Sequence, residues 1–245
     1  MFRGFLNLES PFMRFLSKVG DFMILNIMFL ICCLPIVTIG ASFTALYDVL
    51  TRMDTKKEVP AVSGFIKSFK SNFKQSTIIW LISLAVMAFL IFDIYLFIAK
   101  FPGGYHKMFV FIVVYVVLLA ICFIATGYAF VIQARFDNPV KRTIKLAIGM
   151  TILSLIPNGI FTGATTLLPV YLFLQFPSVF FYLFPLWFLG GYTLIEYINS
   201  KIYMKVLGKY APELKDEEEE QEFKPLQLLD ETVEDEAEES TDVSE

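Results

Sequence analysis

Long apolar runs separated by short polar connections dominate the pattern of this chain. The run Ile78–Ala99 is interrupted only by Ser83 and Asp93, and the run Met108–Ile132 contains no charged residue. A bilayer core about 30 Å thick needs roughly 20 apolar residues in an α-helix, whose backbone groups are all bonded within the segment. Both runs are therefore predicted to be membrane-spanning helices.

Two later apolar runs contain helix-breaking residues. The run 144–168 is interrupted at Pro157, which Asn158 and Gly159 follow, so its helix should end or kink there. The run 171–198 is longer than one crossing requires. We expect it to form one span, preceded by a short re-entrant or interfacial piece near Pro169.

The first apolar run, Phe22–Tyr47, contains Pro35 and Gly40 and predicts either one kinked span or two short helices. Lys and Arg concentrate in the connections 51–75 and 133–145, which places these on the cytoplasmic side. The basic amino-terminal segment would also lie inside if the first run formed two helices. We favour that version, with six spans rather than five. The predicted fold class is all-α: a polytopic membrane bundle of five to six helices, with the side of the N-terminus left open.

Composition and charge divide the chain into two parts. Of the 245 residues, 56% are apolar and 18% are charged, whereas soluble domains usually contain about 45–50% and about 25%. Residues 213–245 hold sixteen Asp and Glu against two Lys, a net charge of −14. Such a segment lacks the apolar mass to fold and does not bind nucleic acid. We predict a transmembrane domain over 1–210 and a disordered acidic cytoplasmic tail over 211–245.

Residue types that carry enzyme chemistry are scarce. The chain has one histidine, His106, and three cysteines, Cys32, Cys33 and Cys122, all inside apolar runs. These spacings form neither a disulfide framework nor a paired metal-ligand motif. The sequence therefore predicts no metal, no cofactor and no enzymatic activity.

The most patterned polar segment is 63–75, where aromatic residues recur every four positions beside lysines. This pattern fits a helix in the cytoplasmic interface, with rings at the acyl boundary and ammonium groups among anionic headgroups. It also fits an ordinary lead-in to the next span, or a docking surface for a partner. The residues of this candidate lipid- or partner-docking face are Phe65, Lys67, Phe69, Lys70, Phe73 and Lys74.

A second candidate is a polar site inside the membrane. A charge deep in the bilayer costs at least about 2.5–3.5 kcal/mol, so Asp93 is a candidate for proton or solute coupling. The helix-interrupting residues Asn26, Pro35 and Gly40 complete this candidate site. Glu196 lies near the end of its span, and we interpret it as an interfacial cap.

Five short motifs are distributed over residues 1–207. They are Asn7-Leu-Glu-Ser-Pro11, Leu34-Pro-Ile-Val-Thr-Ile-Gly-Ala-Ser42, Ala45-Leu46, Phe69-Lys70 with Asn72-Phe73-Lys74-Gln75, and Trp187–Asn199. With these motifs the chain resembles the YesL family, bacterial integral membrane proteins also described as DUF624. The resemblance covers residues 1–207, and the tail lies outside it.

The resemblance implies a multi-pass protein of the bacterial plasma membrane with a cytoplasmic C-terminus. Members of the family are often associated with genes for oligosaccharide uptake, including sugar ABC importers. The chain lacks a G-x-x-x-x-G-K loop. We therefore expect an accessory or regulatory protein in the lipid bilayer, with importer subunits as partners. The alternative is a small-solute transporter or channel with a site between broken helices near Pro35 and Pro157. The sequence does not predict an oligomeric state.

Overall fold

The computed structural model describes residues 11–53, 60–100, 105–136, 138–154 and 160–210. Within these ranges every regular element is helical, which confirms the predicted all-α class. The eight α-helices are α1 (Pro11–Cys33), α2 (Ile39–Arg52), α3 (Ala61–Lys100), α4 (Tyr105–Arg135), α5 (Val140–Ser154), α6 (Ile160–Gln175), α7 (Pro177–Leu186) and α8 (Tyr192–Tyr210).

Four helical stretches of the described chain are long and apolar enough to cross a membrane. Large apolar side chains are exposed along them, for example Phe89, Val110 and Tyr182. Contact with lipid makes such exposure favourable, whereas water would penalise it. The stretches are Leu16–Cys33, Ala61–Ala99, Val110–Arg135 and Pro177–Lys209.

The first apolar run forms two helices, as the favoured sequence interpretation has it, but only the stretch Leu16–Cys33 is long and apolar enough to cross a membrane, so the predicted count of six spans is not confirmed. Helix α1 ends at Cys33, and a 3₁₀ turn over Ile36–Thr38 leads into α2. Thr38 Oγ1 donates hydrogen bonds to the carbonyls of Cys32 (2.6 Å) and Pro35 (2.8 Å), so it satisfies acceptors released where the helix stops. Helix α2 has 14 residues, about 21 Å in length, and is too short for a full crossing.

The core of the amino-terminal half forms around α2. Its buried side chains pack against α1 and against the start of α3. At the α2–α3 crossing, a Cβ on Gly40 would lie 2.6 Å from both the Ser76 carbonyl oxygen and Trp80 Cβ. Only glycine allows this approach. The core cluster comprises Leu25, Phe29, Ala45, Leu46, Val49, Leu50, Ala61 and Phe65.

Helix α3 joins two segments that the sequence analysis treated separately. It runs without interruption for 40 residues, about 60 Å at 1.5 Å per residue, which is about twice the thickness of a bilayer core. The segment 63–75 is its amino-terminal part, which packs against α1 and α2. The segment is therefore continuous with the span that follows it, as in the lead-in interpretation.

The later helices are broken, but not everywhere at the expected places. Residues 155–159, with the predicted break at Pro157, lie outside the described residues. Helix α6 contains Pro169 and continues to Gln175, so the short piece expected near Pro169 is part of this helix, and its re-entrant or interfacial position stays a prediction. The chain breaks instead before Pro177, which is the first residue of α7, where a missing N–H costs no helical hydrogen bond.

Helices α7 and α8 are connected by a π-helical segment, Trp187–Gly191. Gly190 has φ +132°, which lies outside the helical region, so the segment is a kink. Pro185 near the end of α7 cannot donate a backbone hydrogen bond and adds to the break.

Contacts along the chain separate two units, residues 1–206 and residues 207–245. The second is described only over 207–210, the end of α8. The predicted tail, 211–245, lies outside the described residues, so the division at residue 210 stays a prediction. The sites below belong to the first unit.

Candidate functional site

A buried carboxylate forms the centre of the candidate site. Glu196 on α8 is fully buried, and its Oε2 accepts hydrogen bonds from the Tyr47 hydroxyl (2.6 Å) and from Asn199 Nδ2 (3.3 Å). The interpretation of Glu196 as an interfacial cap is therefore wrong. Glu196 lies near the end of an apolar run in the sequence, but in the structure it is buried against α2. The sequence of one run does not show which other helix packs against it.

Further side chains extend this network to other helices. Thr165 Oγ1 on α6 donates a hydrogen bond to Asn199 Oδ1 (3.1 Å). The Tyr203 ring lies edge-on against Tyr47 on α2 (centroids 5.9 Å apart) and against Tyr128 on α4 (4.5 Å). Hydrogen bonds therefore join α2 and α6 to the buried carboxylate of α8, and α4 contacts the same helix through the Tyr203 ring.

Asn26 on α1 forms a second buried polar contact, at the kink between α7 and α8. Its Nδ2 donates to the carbonyls of Trp187 (3.1 Å) and Phe188 (2.7 Å). Its Oδ1 accepts from the backbone N–H (3.3 Å) and from the hydroxyl (3.0 Å) of Thr193. The carbonyl groups of Trp187 and Phe188 lie before Gly190, and the N–H of Thr193 lies after it. The Asn26 side chain therefore forms hydrogen bonds with backbone groups on both sides of the kink, where a regular helix is interrupted.

Gly190 lies in this kink because of both its conformation and its surroundings. At φ +132° an L side chain is strained. A Cβ there would also lie 3.4 Å from the Met23 backbone nitrogen, so α1 passes directly over the glycine. The close approach brings Asn26, one turn further along α1, against the kink.

The four residues of the predicted intramembrane site do not come together as one site. Asn26 lies at the kink, and Gly40 lies at the α2–α3 crossing. Pro35 is exposed before the 3₁₀ turn. Asp93 is partly exposed on α3, and within the described part of the chain it makes no hydrogen bond or ion pair. The four residues do not form one group because they lie on different elements, each with its own neighbours.

The predicted docking face divides into a buried and an exposed part. Phe65 is only 1% exposed and belongs to the core, while Phe73 is 39% exposed. Phe69 is intermediate and joins the two, with ring centroids 6.2 Å from Phe65 and 5.5 Å from Phe73. The aromatic residues therefore do not form one lipid-facing stripe. The exposed cations of this segment are Lys67, Lys70 and Lys74.

A third polar contact, which the sequence analysis missed, links α3, α4 and α5. The side-chain amide of Gln133 donates to Gln75, and the Thr143 hydroxyl donates to Gln133 Oε1 (3.0 Å). The available signal was the position of Gln133 directly after the apolar run 108–132, where a buried amide needs a partner.

Metal ligands are not grouped in the part of the chain that the structure describes: no three His, Cys, Asp or Glu side chains lie close enough to share an ion. The three cysteines carry free thiols.

These features define an all-α protein with span-length apolar helices and polar contacts buried between them. Over residues 22–94 the chain is similar to the family described as Protein of unknown function, DUF624. That stretch includes the motifs at 34–42 and 69–75, whereas those at 7–11 and 187–199 lie outside it. No curated protein and no solved structure matches the chain.

Proposed function

We propose that this protein is a non-enzymatic, multi-pass protein of the bacterial plasma membrane that assists or regulates oligosaccharide uptake. The span-length apolar helices support the membrane location. The similarity over residues 22–94 supports a DUF624-type protein. The link to carbohydrate rests on the resemblance to the YesL family, whose genes are often associated with sugar importers.

The observation that carries the proposal is the lysine face, which we define as Lys67, Lys70 and Lys74. All three are exposed on the part of α3 that precedes the apolar span. Phe65, on the same segment, is buried in the core and fixes that part of the helix against α1 and α2. A fixed helix presenting three cations suits recognition of an acidic surface, because little backbone freedom is lost on binding.

The partner that we propose is a subunit of a sugar ABC importer, bound from the cytoplasmic side. The lysines favour that side by the positive-inside rule, and the same rule places the C-terminus inside. Opposite charges on the two partners would accelerate their association and fix its register.

Charge reversal tests this docking. The full-length protein carrying Lys67→Glu, Lys70→Glu and Lys74→Glu should recover at least about tenfold less importer from detergent extracts than the unaltered protein, because like charges then face each other. The matched control reverses Lys141, Arg142 and Lys145, three exposed cations at the start of α5, and should leave recovery unchanged. Equal recovery with both triple variants would contradict docking through the lysine face.

A second candidate function is that of a small-solute transporter or channel with a site between broken helices. The kink at Gly190, whose backbone groups Asn26 binds, favours it, because discontinuous helices expose backbone groups to bound solutes in transporters. The purified protein in liposomes should then move a sugar or an ion, and Asn26→Leu should abolish that movement. Liposomes that remain impermeable across a panel of sugars and ions would exclude this candidate.

A further inference from the structure

Glu196 lies where a permanent charge is costly. It is fully buried among helices of the first unit, on a stretch long and apolar enough to span a membrane. Without water, a carboxylate keeps its charge only if other groups compensate for the lost hydration, whereas a neutral carboxyl needs much less compensation. The free energies of the two protonation states therefore depend on the side chains that surround this group.

Phenols and one thiol are among the ionisable groups around Glu196. Tyr47 on α2 and Tyr192 on α8 both interact with the carboxylate, and Tyr203 interacts with both tyrosines. Cys33 on α1 interacts with Tyr192. Lys201 follows on α8, where it is exposed and its ammonium group lies 4.5 Å from the centre of the Tyr197 ring.

Glu196 can keep its hydrogen bond with Tyr47 whether its carboxyl group is charged or neutral. A phenol hydroxyl both donates and accepts hydrogen bonds. At the observed 2.6 Å the Tyr47 hydroxyl can donate to a charged carboxylate, and it can donate to or accept from a neutral carboxyl. The Asn199 amide donates to the same oxygen, and Thr165 holds that amide from α6. The carboxyl can therefore gain or lose a proton without leaving its partners.

We propose that Glu196 is a proton-binding site of the helix bundle. It takes one proton from water and returns it, so its charge alternates between −1 and 0 while Tyr47 stays neutral. Each proton changes the strength of the hydrogen bonds that join α8 to α2 and, through Asn199, to α6. This inference does not depend on either proposed function.

Infrared spectroscopy of the full-length protein in lipid nanodiscs, recorded from about pH 4 to about pH 9, tests the site. The unaltered protein should show a protonated-carboxyl band that disappears as the pH rises and that is missing in Glu196→Gln. Asp93→Asn removes a partly exposed intramembrane carboxylate and should leave this band in place. A Glu196→Gln spectrum that superimposes on that of the unaltered protein at every pH would overturn the proposal.

Tyr47→Phe provides the second readout, since it keeps the ring and removes only the hydroxyl. The band should remain but change its frequency, because the carboxyl loses the hydrogen bond seen at 2.6 Å. This variant decides the question by itself if Glu196→Gln does not fold. A band whose frequency is unchanged in Tyr47→Phe would show that the titrating group is not Glu196.

Discussion

Two glycines of this protein differ in what an added methyl group would meet. Gly190 has φ +132° and lies beneath the backbone of α1, at Met23. Gly149 lies in α5, is exposed, and has no heavy atom within 4 Å of the position that a Cβ would take. The same substitution at the two sites therefore separates backbone strain from the general effect of replacing glycine.

Gly190→Ala should lower the free energy of unfolding by about 1–3 kcal/mol, the usual cost of holding an L residue in a sparsely populated conformation. Gly149→Ala should be neutral or stabilising by up to about 1 kcal/mol, because alanine favours a helix over glycine. Thermal unfolding of the detergent-purified variants measures both. Equal midpoints would show that the kink at Gly190 does not constrain the native backbone.

The sequence predicts single residues only where their own neighbours in the chain decide their role. Pro35 and Gly40 were recognised as interruptions, and both lie at or near the break between α1 and α2. Glu196 was misplaced and the contact of Asn26 with the kink was not foreseen, because their partners lie 149 to 167 positions away. Hydrogen bonds over such separations depend on helix packing, which no local pattern encodes.

At the scale of one helix, α3 places two phenylalanines of the same repeat in different surroundings. Phe65→Ala should reduce the free energy of unfolding by about 3–5 kcal/mol, since it opens a cavity in the core beside Leu46 and Leu50. Phe73→Ala should cost less than about 1 kcal/mol, because its ring is 39% exposed. Chemical denaturation in detergent compares the two variants, and similar losses would contradict the packing described for α3.

The helices were predicted best where a single apolar run defines the whole span. The spans 78–99 and 108–132 lie within α3 and α4, because uninterrupted apolar runs admit only a helix in lipid. The continuity of α3 back to Ala61 was one of the interpretations of the segment 63–75, and its polar positions alone did not select it. Pro169 lies within α6, so a proline by itself does not mark a break.

At the scale of the whole molecule, the exposed apolar surfaces predict how the protein behaves in cells. It should sediment with membranes, resist extraction at high pH and dissolve only in detergent, because its span-length helices expose many large apolar side chains. Ultracentrifugation of cell lysates measures this. Recovery in the supernatant without detergent would contradict a membrane-spanning fold.

The orientation of the molecule depends on charge rather than on packing. Lys and Arg in the connections predict a cytoplasmic C-terminus, and the fold alone does not specify which side faces the cytoplasm. A reporter that is active only in the cytoplasm should therefore work when fused after Glu245. Activity confined to a reporter that works outside the cytoplasm would reverse the inferred orientation.

The uninterrupted backbone of α3 has a mechanical consequence. From Ala61 to Lys100 the helix is uninterrupted, so a displacement of its lysine-bearing end is accompanied by a displacement of its apolar end. A break such as the one at Gly190 would uncouple two such ends, and α3 contains none.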